Sequence, residues 1–174
     1  MAYDSRAIAN FFLGRADQAS QQLTPMSLLK ILYFAHAWHL AKYKEPLVAQ
    51  PFEAWERGPV NRVVYEQVKK FGKGVVSERL KVLDPRSVTF VDANCDLTDD
   101  LKTFLGNIFS YYSQYHAFEL SDITHASGTP WDTVWNAAEN GAVPGMWISN
   151  ELILNWFEKT GGRLYLDGEQ GANA

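Results

Sequence analysis

The sequence predicts a mainly α-helical fold, a single compact domain around one buried central helix, with room for a small two-stranded β element. Three observations support this prediction. The 174 residues are 47% apolar and 14% aromatic, which is enough to bury a sizeable core in one domain. Thr24-Pro25 and Thr129-Pro130 each pair a cap residue with a proline, which is typical of a helix start. The segment after Thr24 is apolar on nearly every face.

The central helix is expected to run from Pro25 to about Tyr43. At 3.6 residues per turn its apolar residues form three neighbouring stripes, and only a strip containing Lys30 and Lys44 is thin or polar. A helix with this pattern must be surrounded by other elements. We therefore place it at the centre of the domain.

Cap residues and glycines predict the remaining helices. Asp4 or Ser5 caps a first helix that ends near Asp17, and Pro59 opens a helix that Gly72 terminates. Further helices are expected after Thr98, around 118–124, after Thr129, and from Ser149 to Gly161.

Two short segments are expected to form the β element. Residues 52–56 alternate between apolar and polar side chains, as in a half-exposed strand, and residues 87–91 are rich in β-branched side chains. We expect these two segments to pair with each other.

The pattern divides the chain into a domain over residues 1–160 and a flexible, glycine-rich C-terminal tail over 161–174. Cys95 is the single cysteine, and no apolar run reaches the roughly 18 residues of a membrane span. We expect a cytoplasmic protein without a membrane partner.

The net charge of −4 and the pI near 5.5 argue against nucleic acid as the partner, because phosphate binding needs an excess of Lys and Arg on one face. The local basic cluster is Lys69-Lys70-Phe71-Gly72-Lys73. It fits the solvated end of a helix as well as a nucleic-acid contact.

The titratable side chains predict no metal, no cofactor and no catalytic residue. His36 and His39 have a spacing that can bind a metal, but further ligands are not visible. Cys95, His125 and Asp122 supply the residue types of a nucleophilic site, yet the acidic neighbours of Cys95 disfavour its thiolate. The protein is predicted not to be an enzyme, and the alternative is an unrecognised enzyme that uses His39 or His125.

A partner-binding site is predicted at Glu53, Trp55, Arg57, Gly58 and Pro59, where an edge strand meets a rigid turn. A strand edge, a tryptophan that fills a pocket and an arginine fork are typical elements of an interface. In the alternative, these residues are internal: Glu53 pairs with Arg57, and Trp55 covers the central helix.

Several separated motifs resemble the Panacea domain, the antitoxin family that contains SocA-like and phage-associated GepA proteins. They include LLKILYFAHAWHLA at 28–41, Pro46-Leu47, FEAWERGPV at 52–60 and Val64-Tyr65. Residues 3–13 resemble the opening helix of the family, and residues 124–131 its THxxGxPW segment. His36 stands where the family often has Gln.

The resemblance implies an antitoxin that neutralises a cognate protein toxin, encoded by a neighbouring gene, through direct contact. One SocA-type member acts as an adaptor that presents its toxin to a bacterial protease, so the resemblance also permits this second role. Neither role needs a cofactor.

Overall fold

The computed structural model describes residues 1–138 and 145–160, and their fold is mainly α-helical with minor β elements, as predicted. The helices are α1 (Ser5–Gln18), α2 (Pro25–Tyr43), α3 (Arg62–Val68), α4 (Asp99–Tyr112), α5 (Ala117–His125), α6 (Pro130–Ala137) and α7 (Asn150–Lys159). The strands are β1 (Phe52–Trp55), β2 (Gly58–Asn61), β3 (Lys81–Asp84), β4 (Thr89–Asp92) and β5 (Trp147–Ile148). A short 3-10 helix, Lys69–Phe71, follows α3.

The prediction of a buried central helix is confirmed. Every residue from Leu28 to Ala37 is buried, and α2 contacts α1, α3, α4, α5, α7 and strand β2. Its start is fixed by Thr24, whose hydroxyl accepts the Ser27 N–H. Its end is fixed by Lys44, which has a left-handed backbone and donates its N–H to the Leu40 carbonyl.

The predicted caps of the other long helices are also confirmed. A side-chain oxygen accepts a backbone N–H at each N-cap, which satisfies one of the donors that a helix start leaves free. These N-cap residues are Asp4, Thr98, Thr129 and Ser149. The predicted stop at Gly161 and the predicted tail lie outside the described residues.

The predicted pairing of the β segments is wrong. Strand β1 pairs antiparallel with β2 on one side and with β5 on the other, and β4 pairs with β3. Each hairpin joins neighbouring segments through a short loop that costs little closure entropy, and β2 and β5 occupy both edges of β1, which leaves no edge for β4. Consequently β1 is a central strand and not the predicted edge strand.

The predicted helix start at Pro59 is wrong as well. Pro59 lies in β2, at the edge of the three-stranded sheet, where its missing N–H costs no ladder hydrogen bond. Helix α3 begins at Arg62, because the Asn61 side chain accepts the Val64 N–H and caps it.

No helix within the two described ranges is both long and apolar enough to span a bilayer.

Candidate partner-binding site

The β1–β2 hairpin ends in a tight turn that requires glycine at position 58. The register pairs Trp55 with Gly58, so Glu56 and Arg57 form the loop. Both loop residues keep a negative φ, and the reversal is completed by Gly58 at φ +105°. A Cβ atom at Gly58 would lie 2.7 Å from Thr124 Oγ1 and 2.9 Å from Lys30 Nζ. Backbone conformation and close approach therefore both exclude a side chain here.

Three side chains, each from a different helix, donate hydrogen bonds to backbone carbonyls of this hairpin. The bonds run from Trp131 Nε1 to Trp55 O (2.7 Å), from Ser121 Oγ to Arg57 O (2.9 Å), and from Lys30 Nζ to Pro59 O (3.0 Å). Because the three donors come from α6, α5 and α2, the position of the turn is fixed relative to most of the domain.

The segment 124–131 builds the support for these bonds. Thr129 Oγ1 donates to Thr124 O (2.7 Å) and also caps α6, which sets the direction of the helix that carries Trp131. The Trp131 ring stacks on His125, with centroids 3.9 Å apart. His125 Nε2 is buried without a hydrogen-bond partner within the described part of the chain. This segment therefore acts as a brace beneath the hairpin.

Lys30 is a buried lysine beside the turn of the hairpin. Its side chain is 1% exposed, and within residues 1–138 and 145–160 no carboxylate forms an ion pair with it. Burial lowers its pKa to about 7, since a charged ammonium is poorly solvated in the interior. Its proximity also contributes, after burial, to the lowered pKa of His125.

Trp55 is half-buried, and two contacts fix the orientation of its side chain. Its Nε1 donates to Glu53 Oε2 (2.8 Å), and its ring meets Tyr65 edge to face, with centroids 4.8 Å apart. Edge-to-face aromatic pairs contribute about 0.5–1.5 kcal/mol beyond the area they bury. One face of the indole thus has a fixed orientation at the surface.

Beside the hairpin lies an open groove of about 410 Å³. Its walls come from the start of α2, the hairpin turn, and α3 with the loop that follows it. The lining residues are Pro25, Met26, Leu29, Lys30, Trp55, Glu56, Arg57, Val60, Tyr65, Lys69, Gly72 and Lys73. The hairpin and this groove together form the candidate site.

The structure separates the five predicted site residues into two groups. Glu53, Gly58 and Pro59 are buried, so they shape the hairpin instead of presenting surface. Trp55 and Arg57 face the groove and remain the predicted partner contacts. The alternative pairing of Glu53 with Arg57 is wrong: the ion pairs of the described residues do not join these two side chains, and Glu53 accepts from Trp55 instead.

Sequence reasoning missed the parts of the site that come from distant segments. Ser121 and Trp131 touch the turn from more than 60 residues away, and Lys69 and Lys73 reach the groove from the basic cluster. The sequence does contain one signal for this part of the site. Lys30 is a lone lysine within an otherwise apolar helical run, and a buried lysine is unusual unless its ammonium has a specific partner.

The residues considered for other chemistry have structural roles elsewhere. His36 Nδ1 accepts the Val48 N–H (3.3 Å), so its Nε2 donates to Asn150 Oδ1 (2.8 Å), and burial lowers its pKa to about 4. His39 Nδ1 donates to Glu45 O (2.7 Å). Within the same described ranges, His, Cys, Asp and Glu side chains nowhere gather in threes around a metal-sized site.

Cys95 and His125 do not form the considered nucleophilic pair. Cys95 lines a cavity with Ala7 and Asn10 of α1, whereas His125 stacks on Trp131. Burial and the nearby Asp96 carboxylate raise the pKa of the Cys95 thiol, which disfavours its reactive thiolate.

Comparison with known proteins agrees with the motifs. The family model for the antitoxin SocA-like, Panacea domain matches residues 28–132, which include most of α2, the β1–β2 hairpin and segment 124–131 beneath it. Antitoxin SocA of Caulobacter vibrioides (strain NA1000 / CB15N) is 30% identical over 154 residues, covering 88% of this chain and 82% of that protein. No solved structure matches the chain significantly.

The family match spans more than half of the chain, and the similar protein is aligned over most of both sequences. The chain therefore belongs to the SocA-like antitoxin family with a Panacea domain.

Proposed function

We propose that the protein is an antitoxin that neutralises a cognate protein toxin by direct binding, without a cofactor, through the hairpin and the groove. The observation that carries the proposal is the bracing of the turn: three side-chain donors fix its carbonyls, so the backbone that carries Trp55 and Arg57 is held in one arrangement. Tryptophan and arginine dominate the binding energy of many interfaces, and preorganised anchors lose less entropy on binding. Family membership supports the antitoxin role.

Binding is favoured over catalysis by the chemistry of the groove. Its lining, which belongs to the described residues, contains no histidine, cysteine or serine, and its one carboxylate is the exposed Glu56. Lys30 also lines the groove, but it is 1% exposed and its Nζ donates to Pro59 O, so this lysine supports the hairpin backbone instead of presenting a base to a substrate.

The test is to express the neighbouring gene alone and together with this protein. The proposal expects growth arrest by the neighbour alone, rescue on co-expression, and a stable complex that survives purification. A neighbour that is harmless, or a rescue without any complex, would contradict it.

The level of the toxin distinguishes the two modes of antitoxin action. If rescue leaves the toxin at full abundance in cells with intact proteases, the protein acts by occupancy, as proposed. If the toxin disappears when the antitoxin is present and persists when the proteases are deleted, the protein is an adaptor for a protease.

A further inference from the structure

We infer that the groove receives an acidic segment of the toxin, in which a large apolar side chain lies beside a carboxylate. This inference rests on the proposed function and specifies the chemistry of the partner at the same site.

The size of the groove limits what it can hold. A volume of about 410 Å³ lies within the range of roughly 300–1,000 Å³ found for sites that bury a small ligand. It corresponds to about one turn of an α-helix with a diameter of about 10 Å. The groove therefore accommodates one or two anchor side chains of a partner, and not the whole body of a helix.

Part of the groove lining is apolar. We call this apolar lining the floor, which includes Met26 and Leu29 of α2, Val60 of β2, and the rings of Trp55 and Tyr65. Met26 is only half-buried, and its unbranched thioether adapts to different shapes. An aromatic or long aliphatic side chain is the anchor that gains most by entering such a surface.

The groove also carries an excess of positive charge. Arg57 and Lys73 are exposed, and neither has an ion-pair partner within the described part of the chain. Lys69 is paired with Glu66, at 2.5 Å, and the single acidic lining residue is Glu56. A carboxylate from a partner would meet two exposed, uncompensated cations here, including the bidentate fork of Arg57.

This local charge is opposite to that of the whole protein, which has a net charge of −4. An acidic partner is repelled by most of such a surface and attracted only where the local potential is positive. The positive charge of the groove therefore determines where on the antitoxin an acidic segment docks, and it also contributes to the affinity.

Nucleic acid is the competing occupant for a basic groove. Phosphate contacts need several cations along a track, whereas the two uncompensated cations here border an apolar floor that a phosphate backbone would leave unfilled. The chemistry of the groove favours a protein segment.

The test measures the affinity of the purified toxin for antitoxin variants by calorimetry. Lys73→Glu should weaken binding about tenfold or more at about 0.1 M salt. The loss of affinity should be smaller at about 1 M salt, because the Debye screening length is then only about 3 Å. Lys73→Arg should retain affinity. Lys102→Glu is the matched control, since it makes the same charge change at an exposed position on α4, and it should bind like the parent.

The apolar half of the inference is tested with Met26→Asp against Met26→Leu. Aspartate suits the first turn of α2, so the fold should persist, but it places a carboxylate on the groove floor. Met26→Asp should lose about tenfold or more in affinity at both salt concentrations, whereas Met26→Leu should bind normally.

Toxin binding that is unchanged in Lys73→Glu and Met26→Asp would overturn the inference and leave the proposed function intact. Binding of a single-stranded oligonucleotide by the parent protein, lost in Lys73→Glu, would overturn it in favour of nucleic acid. If the parent protein does not bind the toxin at all, the proposed function fails and the inference fails with it.

Discussion

The two β-hairpins of this protein have strands of equal length and opposite surroundings. In β1–β2, seven of the eight strand residues are buried, whereas none of the eight residues of β3 and β4, all of them described, is buried. The cross-strand partners Leu83 and Phe90 of the second hairpin are 53% and 71% exposed. The first hairpin is part of the core, and the second stands on its surface.

The difference lies in how each hairpin is held. The first is bonded along its turn by Trp131, Ser121 and Lys30. Among the described residues, the side chains that bond to the second hairpin do so at its root, where Gln67 bonds both backbone groups of Lys81 and Asn10 bonds the backbone of Leu80 and Ala93. Contact with the central helix and with segment 124–131, rather than the strand ladder itself, therefore distinguishes the first hairpin from the second.

The turns themselves show the same contrast. Each hairpin needs a residue with positive φ, which is Gly58 at +105° in the first and Val88 at +53° in the second. Valine is disfavoured in the left-handed region because its branched Cβ crowds the backbone. The first turn thus has the residue that its geometry requires, and the second turn does not.

The largest expected effect is on the brace. Trp131→Ala removes a buried ring, which is 7% exposed, and the donor to Trp55 O. It should reduce the free energy of unfolding by about 3–5 kcal/mol. Chemical denaturation measures this loss, with Trp147→Ala as the control, because Trp147 is 63% exposed. Equal effects of the two substitutions would show that Trp131 does not brace the hairpin.

The next effect concerns the turn glycine. Gly58→Ala should destabilise the protein by about 2–3 kcal/mol, because the new methyl group meets Thr124 and Lys30 and the residue keeps a positive φ. Gly72→Ala is the matched control: its φ is +57°, but nothing lies within 4 Å of the added Cβ, so about 1 kcal/mol is expected. A smaller loss at Gly58 than at Gly72 would contradict the close packing of the turn.

Lys30 makes the support of the first hairpin dependent on pH. Its folded pKa of about 7 lies below the unfolded value of 10.5, so the unfolded chain binds more protons between these values and stability rises with pH. We expect a gain of about 2 kcal/mol from pH 7 to pH 9, which urea denaturation can measure. Lys30→Met should remove this gain. An identical pH profile in the variant would assign the dependence to other groups.

The smallest effect is a gain in the second hairpin. Val88→Gly should raise the free energy of unfolding by about 1 kcal/mol, because glycine relieves the left-handed strain at an exposed position. A thermal melt measures it. Destabilisation by this substitution would mean that the Val88 side chain makes contacts that outweigh the strain.

The sequence predicted the parts of this fold that depend on local chemistry. Thr24-Pro25 and Thr129-Pro130 mark helix starts through a hydroxyl cap and a missing N–H, and the apolar circumference of α2 requires burial. These signals lie within one or two helical turns, so a single sequence contains them.

The strand pairing and the brace could not be predicted in the same way. Residues 87–91 have strand propensity, but propensity does not name a partner, and β4 pairs with β3. Pro59 was expected to open a helix, whereas the positive φ of Gly58 before it turns the chain back into strand β2. The bonds from Ser121 and Trp131 depend on how α5 and α6 pack, which is a tertiary property. The predicted contacts Trp55 and Arg57 remain a prediction about the interface.

The most direct test compares matched arginines on the two hairpins. Arg57 and Arg86 are both exposed, and each lies in the loop of its hairpin. The affinity of the purified toxin should fall about tenfold or more in Arg57→Glu and stay unchanged in Arg86→Glu, with both variants folded by circular dichroism. Full affinity in Arg57→Glu, or a loss confined to Arg86→Glu, would contradict the assignment of the toxin-binding surface to the braced hairpin.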